Sequence, residues 1–221
     1  VMRSISSNRA PGMHFAGYFL GFTPRRYEKD GVEFTVAAEP HCTNADGIVH
    51  RTAMLFSADM ALAAAGYMAL PFDPAYGGMG GSRKDLVILV EALARHYSGA
   101  SSLYLPTVVY GGMHLQLTAG EHLRRRYLPE ICAGRLKAAF ALSEPDTGSD
   151  ASGIRTRAVP DGNGYRLRGQ KLYISAAHVA DYLVVVGKTD SEARHKGVTL
   201  FWVDARTPGV SMKPQIGRAH V

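Results

Sequence analysis

The stretch FALSEPDTGSD, residues 140–150, sets three hydroxyls and three carboxylates around a Pro and a Gly, directly after a short apolar run. It holds no Cys, His or Lys, so no thiolate, imidazole or amine is there to act as nucleophile or base. Two readings are open. Backbone amides in such a turn can form an anion-binding nest, with Ser143 and Ser149 as flanking hydroxyls. Otherwise the stretch is a polar turn that only ends a buried strand.

Downstream, GQKLYISAAHVADYLVVVGKT reads as a strand with Tyr173 and Ser175 on one face, because strand side chains alternate. One aromatic plane plus hydroxyls on two adjacent strands would suit a flat heteroaromatic ring. Other signals are weaker. The glycines of YGGMGGSRK (76–84) fit neither spacing of the known phosphate loops, so a connector is expected there. The nine His form no ligand spacing, so no metal site is expected. Cys42 and Cys132 lie in no motif, and reduced thiols in a cytoplasmic compartment are the default.

The elements that position these residues fall into blocks. Residues 1–16 read as an N-terminal arm. Residues 17–66 read strand, strand, helix, with a hairpin turn at EKDG (28–31) and a helix over 51–65. Residues 67–137 are expected to be mainly helical. Ser82 caps a helix over 83–97 with Gly99 beyond its end, TAGE (118–121) matches a capping box, and Pro129 bends or ends the following helix. From 138 the period changes to two. AAFALS, IRTRAV, YRLRGQKLYIS, DYLVVVGKT and VTLFWVDA give five strand-like runs, expected to form a small antiparallel β-barrel or sandwich over 138–215. The fold class is thus multi-domain α+β.

With 46% hydrophobic and 20% charged residues, the composition is that of an ordinary soluble protein, and no apolar run reaches the roughly 20 residues of a membrane span. The formal charge of +6 is concentrated late: from residue 151 onward eleven Lys/Arg face five Asp/Glu. These arginines alternate with apolar residues, as on the polar face of strands, and no nucleic-acid motif accompanies them. A phosphate-bearing small molecule fits the charge better than nucleic acid.

FALSEPDTGSDASGIRTRA followed by GYRLRGQKLYISAAHVADYLVVVGKT resembles the acyl-CoA dehydrogenase signature. MALPFDPAYGGMGGS, VEALARHYSGASS and AGEHLRRRYLPEICAGRLKAAFALSEP are similar to that family's N-terminal helical domain. The resemblance covers about residues 67–214. It implies FAD held by a middle β-domain, with Phe140, Leu142, Ser143, Gly148 and Ser149 along the flavin and its pyrophosphate. Tyr173, Ile174 and Ser175 would cover the other side of the ring, with the Ser175 hydroxyl near the hydride-accepting nitrogen, and Ser149 would also touch an acyl-CoA substrate. Ser143 and Ser175 stand where Thr is frequent, and Tyr173 where Trp is frequent. These departures keep the hydroxyls and the ring. The resemblance also implies electron-transfer flavoprotein or a similar acceptor as partner, and a homo-oligomer for the full-length family. The family's catalytic Glu lies in a C-terminal helical domain beyond this sequence, and Glu144 belongs to the flavin loop. The chain as it stands is therefore expected not to dehydrogenate.

Residues 17–66 instead resemble the first half of a hotdog-fold acyl-CoA thioesterase, with Asn44 positioning the thioester and Asp59 as base or nucleophile. His50-Arg51-Thr52 stands where the family has His-Gly-Gly, whose glycines let a thioester approach the helix N-terminus that polarises its carbonyl. The change of family is expected near residue 66, joining two partial sequences. The ending IGRAHV, residues 216–221, matches one frame of a sequencing adapter and is expected to be a non-native tail.

Overall fold

The computed structural model of the chain describes residues 23–28, 31–35, 62 and 66–213. Asn44, Asp59, Cys42, the helix expected over 51–65 apart from Leu62, and the tail at 216–221 lie outside the described residues. The first strands are β1 (Thr23–Glu28) and β2 (Gly31–Thr35), antiparallel, with Glu28 opposite Gly31 as the EKDG turn requires. The chain divides into two compact units, Val1–Leu136 and Lys137–Val221.

In the first unit, α1 (Arg83–Tyr104) starts at Ser82, whose Oγ accepts from Asp85 N at 3.3 Å while Ser82 N donates to the Asp85 carboxylate at 2.8 Å. That reciprocal cap satisfies two orphan helix-end donors. The helix does not stop before Gly99. Glycine costs a helix about 1 kcal/mol relative to Ala. Burial of Ala100, Ser101 and Tyr104 just beyond it outweighs that loss. The chain then runs through a π-helical segment, Leu105–Gly112, closed by Met113 N donating to Val108 O, and on into α2 (Met113–Thr118). Pro106, with no N–H, removes one α-type bond at the start of this segment.

The capping box expected at Thr118 does not form. Thr118 Oγ1 donates back to His114 O at 2.7 Å, and Gly120 stands at the start of α3 (Glu121–Cys132) with no side-chain cap. Pro129 sits inside α3 without ending it, and Ala133 N closes on its carbonyl. The core of this unit comprises Met68, Phe72, Tyr104, Val108, Leu128 and Ile131, all essentially inaccessible. No described helix is long and apolar enough to cross a membrane.

The second unit is a five-stranded sheet of β3 (Ala138–Ala141), β4 (Arg157–Asp161), β5 (Gly164–Arg168), β6 (Tyr182–Lys188) and β7 (Val198–Asp204). The five expected runs yield five strands, but they do not form a purely antiparallel set. β6 is central: β7 runs antiparallel along it from Lys188↔Val198 to Tyr182↔Asp204, while β3 runs parallel from Ala138↔Tyr182 to Ala141↔Val185. β4 meets β6 in parallel at Arg157↔Lys188 and pairs antiparallel with β5. Parallel neighbours need a long connection, and the excursion from β3 to β6 through β4 and β5 supplies one. Small residues let β3 bury: Ala138, Ala139 and Ala141 are all enclosed.

The π-helical segment gives a test of packing against propensity. A Cβ at Gly112 would lie 2.3 Å from Phe72 Cζ, and Phe72 is 0% exposed. Helix propensity alone would make Gly112→Ala stabilising by about 1 kcal/mol. Overpacking costs about 1–3 kcal/mol. Gly112→Ala is therefore expected to lower the melting temperature of the purified chain in a circular-dichroism melt.

Candidate functional site

The loop after β3 is organised around one carboxylate. Glu144 leaves the strand end and turns inward, with its side chain 5% exposed. It accepts from Arg155 N at 2.6 Å, Thr156 N at 3.0 Å, Thr156 Oγ1 at 2.5 Å and Lys171 Nζ at 2.8 Å. Burial alone would raise its pKa. The bonds from Lys171, Thr156 and the two amides more than offset this and hold it at about 2. Glu144 is the only buried carboxylate among the described residues. Its bonds are structural, and it cannot serve as a general base of ordinary strength.

Lys171 completes the arrangement. Its ammonium also donates to Leu142 O at 3.0 Å, and burial lowers its pKa although Glu144 pulls it back up. Next to it, Leu172 N donates to Ser143 O at 2.9 Å. The two segments singled out in the sequence, 140–149 and 173–175, are thereby joined backbone to backbone at Ser143 and Leu172. The neighbouring approach is tight: a Cβ on Gly169 would stand 2.2 Å from Thr156 Oγ1, so only glycine fits.

The same tether corrects one expectation. Tyr173 and Ser175 do not share a strand face, because β5 ends at Arg168. Lys171 and Leu172 are drawn to the loop after β3 instead of continuing the ladder. The chain then turns sharply, with Tyr173 at φ 57° and Ala176 at φ 61°. Non-glycine residues in this left-handed region cost about 1 kcal/mol or more each and persist where surrounding structure over-determines them. The turn leaves Tyr173 78% exposed.

Phe140 lies in β3 opposite Val184, half-buried like Leu142, Ser143 and Ile174. Gly148, Ser149 and Ser175 are exposed. The turn before them is closed by Glu144 N to Thr147 O at 2.7 Å and Thr147 N to Glu144 O at 3.2 Å, and Thr147 Oγ1 donates to Gly153 O at 3.0 Å. Among the described residues no hydrogen bond engages the amides of Gly148 and Ser149 or the hydroxyls of Ser143, Ser149 and Ser175. A Cβ on Gly148 would meet nothing within 4 Å. Open donors, open space and an accessible ring face fit the dinucleotide that the sequence resemblance implies. Sequence reading missed Thr156 and Lys171. Their only sequence signal is a hydroxyl and a cation, each inside one of the strand-like runs.

Among the described residues no group of His, Cys, Asp and Glu could hold a metal ion. Cys132 is a free, buried thiol whose pKa burial raises to about 11.

Comparison with known proteins bears on the same residues. The sequence model for "Acyl-CoA dehydrogenase, N-terminal domain" matches residues 37–135, and that for "Acyl-CoA dehydrogenase, middle domain" matches 139–219. The first match takes in Asn44 and Asp59 and begins well before residue 66. The chain is 40% identical over 149 residues to the caffeyl-CoA reductase–Etf complex subunit CarC of Acetobacterium woodii, covering 66% of this chain and 39% of that protein. Among solved structures, butyryl-CoA dehydrogenase from Megasphaera elsdenii superimposes with a TM-score of 0.65 at 30% identity, covering 70% of this chain and 41% of that one. A glutaryl-CoA dehydrogenase from Mycobacterium smegmatis, solved with FADH2, superimposes with a TM-score of 0.63 at 28% identity over 70% and 38%. The chain thus spans about two fifths of the length of these relatives.

Glu144→Gln removes the negative charge and leaves Lys171 buried without a counter-charge. Breaking a buried pair from one side costs about 3–5 kcal/mol. A urea titration of the variant is expected to show a loss of that order. In the unaltered chain, the folded pKa of about 2 lies below the ordinary 4.5. The stabilisation is therefore fully present above about pH 4.5 and is lost as pH falls toward 2, on the order of 3 kcal/mol in all. Stability measured against pH should drop through that window, and the drop should shrink in Glu144→Gln.

Proposed function

Because the chain belongs to the acyl-CoA dehydrogenase family, whose members are oxidoreductases acting on CH–CH groups, we propose that its second unit holds FAD for the α,β-dehydrogenation of an acyl-CoA thioester. The observation that carries this reading is the tether of Leu172 N to Ser143 O, reinforced by Lys171 to Glu144 and Leu142 O. It brings an exposed aromatic ring on a strained turn beside a loop with open donors. Phe140, Leu142, Ser143, Gly148 and Ser149 hold one side of the cofactor, and Tyr173, Ile174 and Ser175 the other. Bound FAD supplies the acceptor for the hydride leaving the β-carbon.

The chain's own residues bind and orient. Unengaged amides at Gly148 and Ser149 suit a pyrophosphate, since they offer donors without a competing acceptor. The Ser149 hydroxyl also faces the thioester substrate. Removing the α-proton needs a carboxylate of ordinary basicity beside a polarised carbonyl. Glu144 is excluded from that role by its four bonds, and the part we assign to this unit is the oxidising half of the reaction. As electron acceptor we propose electron-transfer flavoprotein or a similar flavoprotein, by analogy with the Etf-complex relative. The free thiol of Cys132 fits a reducing, cytoplasm-like compartment.

A thioesterase-like start is favoured by the β1–β2 hairpin alone. The dehydrogenase match over 37–66 weighs against it, so thiol release from acyl-CoA is expected to be the same before and after Asp59→Ala. For the leading reading, the purified chain is expected to retain FAD, seen by its visible absorbance. Ser149→Ala should weaken FAD binding by about 1 kcal/mol, roughly fivefold, in a fluorescence titration. Equal affinity in the two proteins would remove Ser149 from the site.

A further inference from the structure

The arginines of the second unit are not equivalent. Arg155 is answered by Asp146 at 2.9 Å, Arg166 by Asp161 at 2.8 Å and Arg206 by Asp204 at 2.9 Å. Arg157 and Arg168 are both exposed and have no carboxylate partner among the described residues. They are also directly opposite each other across β4 and β5. Side chains at opposed positions of an antiparallel pair project on the same face about 5 Å apart, and like charges there are destabilising. On its other side Arg157 is in register with Lys188 of β6. One row across three strands therefore presents Arg168, Arg157 and Lys188.

That row leads to the proposed site. Lys188 Nζ donates to Ser152 O at 2.8 Å, in the same loop as Ser149. In that loop, Asp150 is in electrostatic contact with Lys188. Its pKa is lowered first by its bonds to Ser152 and further by His195 and Lys188. It does not pair with either arginine. An uncompensated guanidinium pair is suited to a doubly charged anion, because each planar fork can donate two bonds to phosphate oxygens.

We infer that Arg157 and Arg168 form a subsite for a phosphate monoester dianion, the 3′-phosphate of the CoA carrier of the substrate. The proposal rests on the acyl-CoA reading for the identity of the carrier. The pyrophosphate of FAD is the poorer match, since each of its phosphates bears one charge and is esterified or bridged on both sides. The pair then selects a thioester carrier that ends in a nucleotide bearing its extra phosphate.

The test titrates the full chain with CoA and with 3′-dephospho-CoA by calorimetry, and records FAD content in the same samples. The unaltered chain should bind CoA about tenfold more tightly than 3′-dephospho-CoA. In the double variant Arg157→Gln, Arg168→Gln the two ligands should bind equally, with FAD content unchanged. Arg166→Gln, on the same hairpin but already paired with Asp161, should keep the preference. Equal affinity in the unaltered chain, or a preference that survives the double variant, overturns the subsite. Loss of FAD from every sample with the phosphate preference intact would sink the flavin reading and leave the subsite standing.

Discussion

A single buried carboxylate organises the second unit. Glu144 sits at the point where β3 gives way to its loop, and its oxygens collect two amides, a hydroxyl and an ammonium drawn from residues 155, 156 and 171. These donors come from two separate stretches of chain around the loop. Satisfying the charge therefore fixes the approach to β4, the segment after β5 and the loop itself in one step. A buried ion pair is weak evidence for net stability, because desolvation consumes much of the attraction. Its clearer effect is geometric. With the carboxylate anchored, Ser143 and Leu172 face each other, and the Tyr173 turn is held in a conformation it would not adopt freely.

What the sequence conveyed follows from how local each signal is. The Glu28–Gly31 pairing, the Ser82 cap and five strands depend on neighbours a few residues apart, and they form at the expected stretches. The run expected over 165–175, however, ends as a strand at Arg168. Thr118 and Gly99 mislead because stronger contacts outweigh their local preferences. Thr118 finds the carbonyl of His114, and Gly99 lies ahead of residues whose burial continues the helix. The Tyr173–Ser175 segment stands out in the sequence by residue type, but its conformation does not. Alternation assigns it to a strand, whereas Lys171, two residues before, is captured by a carboxylate 27 positions away. No pattern of period two contains that distance.

The helical unit shows the same competition at another scale. Pro106 loosens the backbone and the wider π turn follows, and the absence of a side chain at Gly112 is what admits the Phe72 ring. Tyr104 in the same core sends its hydroxyl to Tyr67 O at 3.0 Å, and Gln116 bonds both Asp73 N and Pro71 O. The turn at 67–76 is thus fastened to the helices by polar bonds around an apolar centre. Buried polar groups are tolerated there because each has a partner.

The parallel register of β3 with β6 has a bearing on how the unit is made. Ala138 pairs opposite Tyr182, so this enclosed strand is separated in sequence from its partner by two other strands. On a ribosome β3 would emerge first and wait, its hydrogen-bonding edge unclaimed, until β6 had been synthesised. Pairings of large sequence separation close slowly, and open edges invite association between chains in the meantime. The short run of alanines in β3 offers little apolar surface to a stranger during that interval, which makes its plainness a kinetic safeguard.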